Sequence, residues 1–155
     1  WGVQGAGVVM EQTLQPLSAL VRAVRDGTLL PSQAIRVVVE FCNWEHYSRR
    51  YDVGKYQRLF DRLAAALHDT LAGRSVTIYP NSTPGGSGAI EPRAGSFEVY
   101  VDWTAPGGAN HTVVLFSKLE SMRYPNPDNV AARLQLLLSG ADERALQTLL
   151  PNDDA

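Results

Sequence analysis

The most constraining feature of this chain is the run Ala34-Ile-Arg-Val-Val-Val-Glu-Phe-Cys42, in which only Arg36 and Glu40 interrupt apolar side chains. Pro31 precedes it, in the place of a first helical turn, where a missing N–H costs nothing. Taken as a helix, the segment is apolar almost all round, and such a helix is buried on several sides. Ahead of it Leu14, Leu17, Leu20, Val21 and Val24 recur at helical spacing and close on Arg25-Asp26-Gly27, where glycine takes the left-handed conformation of a helix end. The pattern predicts a tight helical hairpin over residues 14–42, its second helix lying at the centre of a bundle or in a subunit interface.

Beyond the hairpin, residues 43–54 mix aromatics with charge and read as a fraying helix or corner. Tyr56, Leu59, Phe60, Leu63, Leu67 and Leu71 then form one stripe that stops at Gly73, the mark of an amphipathic third helix. From residue 74 the period falls to 2: Val76 and Ile78 suggest a short strand, and residues 80–95, rich in Pro and Gly, a long loop. Phe97, Val99, Val101 and Trp103 alternate with Glu98, Tyr100 and Asp102, and His111 to Lys118 return, so 96–118 is an antiparallel hairpin. Asn126-Pro127 reads as an N-cap with Pro at the first helical position. That helix runs to Ser139-Gly140, and Asp142 opens a last helical segment through Leu146 and Leu150. The expected fold is α+β: an N-terminal helical hairpin or bundle, then a small antiparallel β-sheet, then C-terminal helices. A single domain over 1–155 is expected, with a helical region over 1–73, a β region over 74–118 containing the loop 80–95, and a C-terminal helical region over 119–155.

A length of 155 residues and 45% hydrophobic content suit one core. With 19% charged residues and a net charge of −2, there is no overall drive toward nucleic acid or anionic membrane, so DNA contact would need a local patch. Cys42 is the single cysteine, which excludes an internal disulfide and fits a reducing compartment. No apolar run has the length of a spanning helix, and the start Trp1-Gly-Val-Gln-Gly lacks the flank and apolar stretch of a signal peptide.

No catalytic motif stands out. His46, His68 and His111 show no convergence, although His46 and His111 are the acid–base pair that an RNase-like alternative would use. No His pair has metal-ligand spacing with a third ligand nearby, and neither Gly85-Gly86 nor Gly107-Gly108 opens a phosphate loop, so no metal and no cofactor are expected. Arg49, Arg50, Lys55 and Arg58, interleaved with Tyr51 and Tyr56, are candidate phosphate contacts on a charged helix face.

The stretch from Leu20 to Phe41 resembles the N-terminal helical hairpin of the small (gamma) subunit of general transcription factor IIA, through Leu20, Val24, Asp26, Gly27, Leu29, Pro31, Ala34, Val37, Val38 and Phe41. The resemblance implies a non-enzymatic, nuclear subunit of a transcription-initiation complex. It would form a heterodimer with a large-subunit-like helical hairpin through Leu20, Val24, Leu29, Ala34, Val37, Val38 and Phe41. Its β region would contact TATA-box-binding protein or promoter DNA, with no membrane involved. The alternatives are a secreted bacterial effector with RNase-like activity and an acidic immunity- or chaperone-type binding protein.

Overall fold

A computed structural model describes residues 14–44 and 52–141. Five strands form one mixed sheet in the order β1-β5-β4-β2-β3: β1 (Leu14–Gln15), β2 (Ile35–Phe41), β3 (Val76–Pro80), β4 (Phe97–Thr104) and β5 (Asn110–Ser117). Four helices accompany them among the described residues: α1 (Leu17–Asp26), α2 (Val53–Thr70), α3 (Lys118–Ser121) and α4 (Pro127–Leu138). The α+β class expected from the sequence is observed, but the helical hairpin is not. The segment read as its second helix is β2, hydrogen-bonded antiparallel to β4 and parallel to β3, and Pro31 lies in the turn before it.

The physical reason lies in residue type. Ile35 and Val37 to Val39 are β-branched, stiff at χ1 and better placed on a pleated surface than in a helix. A seven-residue, mostly apolar segment that follows a turn is also the length of a buried strand. The polar pair Arg36 and Glu40 could not separate the two readings, because residues four apart share a face in a helix and in a strand alike. The sheet is therefore mixed: β1 pairs parallel with β5, and β2 with β3 across the crossover helix α2.

Other sequence-based expectations hold in place. Gly27 ends α1 with φ +76°, the left-handed conformation for which glycine is suited. Asn126 caps α4 by accepting from the Asp128 and Asn129 amides. β3 and the β4–β5 hairpin lie where the period of 2 put them, with a bulge between Val99 and Tyr100. The helix read from Asp142 onward lies outside the described residues, as do residues 45–51 of the corner read over 43–54, whose Gly54 is in the first turn of α2.

One face of the sheet carries Val37, Val39, Phe41, Phe97, Val99, Val101, Trp103, Val113 and Leu115 into a core with Leu20 and Ala23 of α1, Leu59, Leu63 and Leu67 of α2, and Val130, Leu134 and Leu137 of α4. Helices α1 and α2 both pack on α4, closing this layer. Leu134 is fully buried and Leu30 is 53% exposed. Leu134→Ala is accordingly expected to lower unfolding free energy by about 2–5 kcal/mol, and Leu30→Ala by about 0.5 kcal/mol or less, as read from urea titrations.

Candidate functional site

The opposite face of the sheet is polar. Cross-strand register aligns Arg36 with Asp102 and Thr112, Val38 with Tyr100 and Val114, and Glu40 with Glu98 and Ser117. Three carboxylates of this face are almost wholly buried: Glu40, Glu98 and Asp102. Buried charge is tolerated only when paired and hydrogen-bonded, and the loop 81–95, which supplies buried Pro84 and Pro92, provides much of the pairing. Arg93 forks onto Glu40 at 2.8 and 3.0 Å, and its own amide donates to the same carboxylate at 2.7 Å. Glu98 accepts from the Ser117 hydroxyl and from the Lys118 and Leu119 amides, at 3.0 and 3.2 Å for the amides. Asp102 accepts from the Gly85 amide and the Thr112 hydroxyl, both at 2.7 Å.

Electrostatics follow from that arrangement. Burial, helped by the negative charge of Glu40, pushes the Tyr100 hydroxyl up to about 12. Hydrogen bonding to Glu40 holds the Arg93 guanidinium charged. Burial raises Asp102 above the usual carboxylate value of 3.8, with Gly85, Thr112 and Arg36 offsetting part of the rise.

Cys42 sits where β2 ends and the chain crosses over to α2. Its amide donates to the Ser96 carbonyl at 3.0 Å, extending the β2–β4 ladder past the Phe41–Phe97 pair. Its side chain belongs to the core and the residue is 1% exposed. Opposite it, Ser96 is fully buried and its Oγ has no hydrogen-bond partner. Phe41 stacks on Phe60 of α2 at 5.0 Å between ring centroids. At this same end of the sheet Lys55 lies 3.6 Å over the Tyr124 ring, and Lys118 lies 4.8 Å over it while donating to the Gly95 carbonyl at 2.9 Å. Trp44, exposed but tethered, donates its indole N–H to the Pro92 carbonyl at 3.0 Å.

A cysteine at the end of a strand that feeds a crossover helix and a parallel strand occupies the place of the first cysteine in a C-x-x-C redox motif. Here the four residues are Cys42-Asn43-Trp44-Glu45, so a carboxylate stands at the second thiol position. With one cysteine in the sequence, the chain cannot close a disulfide on itself.

The residues singled out from sequence fall elsewhere. Leu20, Leu29, Val37, Val38 and Phe41 are buried inside this chain; Val24 is half-buried and Ala34 exposed. Lys55 rests on Tyr124, and Arg58 pairs with Asp52 at 2.5 Å on the surface. That pairing holds the Asp52 carboxyl below its ordinary range. His111 stacks on Trp103 at 5.3 Å and meets the Gln15 side chain through Nδ1 at 2.9 Å. His46, Arg49 and Arg50 lie outside the described residues. Among the described residues no group of His, Cys, Asp and Glu is placed to hold a metal ion, and no helix is long and apolar enough to cross a membrane. Cys42 was missed as a site because its segment read as a helix; a strand there would have exposed the strand–cysteine–helix signature.

The profile of the Rdx family matches residues 36–136, and the chain belongs to that family. No curated protein matches the chain. No solved structure matches it either. Family membership overturns the resemblance to the small subunit of transcription factor IIA, and with it the role in a transcription-initiation complex. The residues that carried the resemblance are a helix and a strand, whose apolar positions any buried segment would share. Neither the RNase-like effector nor the immunity- or chaperone-type protein gains support.

Because Asp102 is raised in the folded state, its contribution to stability is fully present below 3.8 and is lost as pH rises through the raised value. Relative to Asp102→Asn, the parent chain is expected to lose unfolding free energy between acid and neutral pH, measured by urea titration at matched pH. A difference that stays constant over that range would show that burial does not perturb Asp102.

Proposed function

We propose that this Rdx-family chain is a thiol-redox protein that acts through one cysteine, Cys42, by forming mixed disulfides with an external thiol partner. The observation that carries the reading is the position of Cys42 at the carboxyl end of β2, directly ahead of the crossover to α2. In the forward step the Cys42 sulfur, having given up its proton, attacks one sulfur of an external disulfide. The Sγ–S bond forms as the old S–S bond breaks, and the departing sulfur takes up a proton. The step is an exchange with no net transfer of electrons, and a further external thiol must attack to release the chain. A C-x-x-C protein would use its own second thiol for that release; Glu45 has none to give.

Burial favours a second reading, in which Cys42 is a packing residue, since a cysteine enclosed by apolar neighbours is inert. Incubation with glutathione disulfide followed by intact-mass measurement separates the two. The expected result is one glutathione adduct on the native parent chain, reversed by dithiothreitol and missing from Cys42→Ser. An adduct that forms only after unfolding in urea would overturn the redox reading in favour of packing. Glu45→Cys, which restores the C-x-x-C spacing, is expected to convert the stable adduct into an internal disulfide, seen as loss of the adduct with retention of the oxidised mass.

A further inference from the structure

We propose that the cleft at the amino end of β2 binds a small oxyanion, a carboxylate or a phosphate, on the guanidinium of Arg36. The cleft has a volume of about 210 Å³ and is lined by Gln33, Arg36, Thr77, Tyr79, Asp102 and Asn110, among others. At about 30 Å³ per water molecule, it has room for a ligand of several heavy atoms but not for a large cofactor. It is separate from the thiol site: six residue steps of extended strand, roughly 20 Å, separate Arg36 from Cys42.

Arg36 is a strong donor left short of acceptors. A guanidinium carries five N–H groups. Here Nη2 reaches the Thr83 carbonyl at 3.4 Å, the limit of a hydrogen bond, and Nη1 lies 3.7 Å from Asp102 Oδ2, an ion pair without a hydrogen bond. The Nε atom is buried with no partner. A buried donor in this state calls for an acceptor supplied from outside the chain. The plane of the group is held by Tyr79, whose ring centroid lies 4.6 Å away. Asp102 does not use up the fork, because its oxygens are taken by the Gly85 amide and the Thr112 hydroxyl.

The rest of the lining fits the same ligand. Asn110 accepts from Thr104 through its carbonyl oxygen, so its amide nitrogen remains a donor, and Thr77 adds a hydroxyl. A cleft centred on a guanidinium that keeps 26% of its side-chain surface exposed, with donors beside it, matches a ligand made of acceptors. The contact to the Thr83 carbonyl, at 3.4 Å, is the weakest that the group makes and the easiest to give up. The Asp102 carboxylate opposes such a ligand, which sets the sign of one variant below.

Titrations of the full chain with acetate, succinate and inorganic phosphate, each at constant ionic strength and followed by amide chemical shifts, test the proposal. Saturable shifts centred on Arg36, Thr77 and Asn110 are expected with at least one probe, and the preferred probe identifies a carboxylate or a phosphate ligand. Arg36→Lys, which keeps the charge and loses the fork, is expected to weaken binding about tenfold. Thr77→Val is expected to weaken it less, and Asp102→Asn to tighten it, while Cys42→Ser leaves it unchanged. Absence of saturation with all three probes overturns the proposal, as does binding of parental strength in a folded Arg36→Lys chain.

Discussion

The hydrogen bonding of β2 on both edges is the constraint on which the other elements depend. Five residue pairs join it in parallel to β3 and six join it antiparallel to β4, so its backbone polar groups are satisfied inside the sheet and its side chains can be buried on both faces. Val37 and Val39 meet the helices while Val38 lies under the loop side, and all three are fully buried. A strand enclosed in this way reads as an unbroken apolar run instead of an alternating one, as is common for parallel pairing between covered faces. Helix α2 exists to carry the chain from the end of β2 back to the start of β3, and α4 packs on it to close the layer.

That enclosure also explains how far the sequence could be read. Elements whose polar and apolar residues keep to separate faces declared their period: Tyr56 to Leu71 as a helix and Phe97 to Trp103 as a strand, with Asn126-Pro127 read as a cap. The element without a polar side did not, because neither the apolar run nor the spacing of Arg36 and Glu40 distinguishes 3.6 from 2. The error at β2 spread to everything that depended on it. A helical hairpin invited comparison with a bundle-forming subunit, and Cys42 became a core residue of a helix instead of the terminus of a central strand. β1 was missed for a different reason, since two residues carry no period and Leu14–Gln15 is defined only by its partner β5.

The long loop between β3 and β4 was recognised as a loop from its Pro and Gly content, but its task was hidden in long-range pairing. Glu40 and Arg93 stand 53 residues apart, and Asp102 and Gly85 stand 17 apart. Nothing local in the alternating pattern of β4 says that Glu98, Tyr100 and Asp102, apparently its wet side, are to be buried. In the folded chain a segment without regular structure serves as the second covering layer, and the acidic residues are the points at which it is fastened.

The tether from Trp44 to the Pro92 carbonyl joins the chain just past Cys42 to that covering segment. The same loop carries Arg93 and, earlier in the chain, the Gly85–Gly86 turn over Asp102. A single backbone segment is thereby fastened both beside the end of β2 and over Asp102. The indole, held at that junction and partly in water, is a built-in optical reporter of whether the loop is seated.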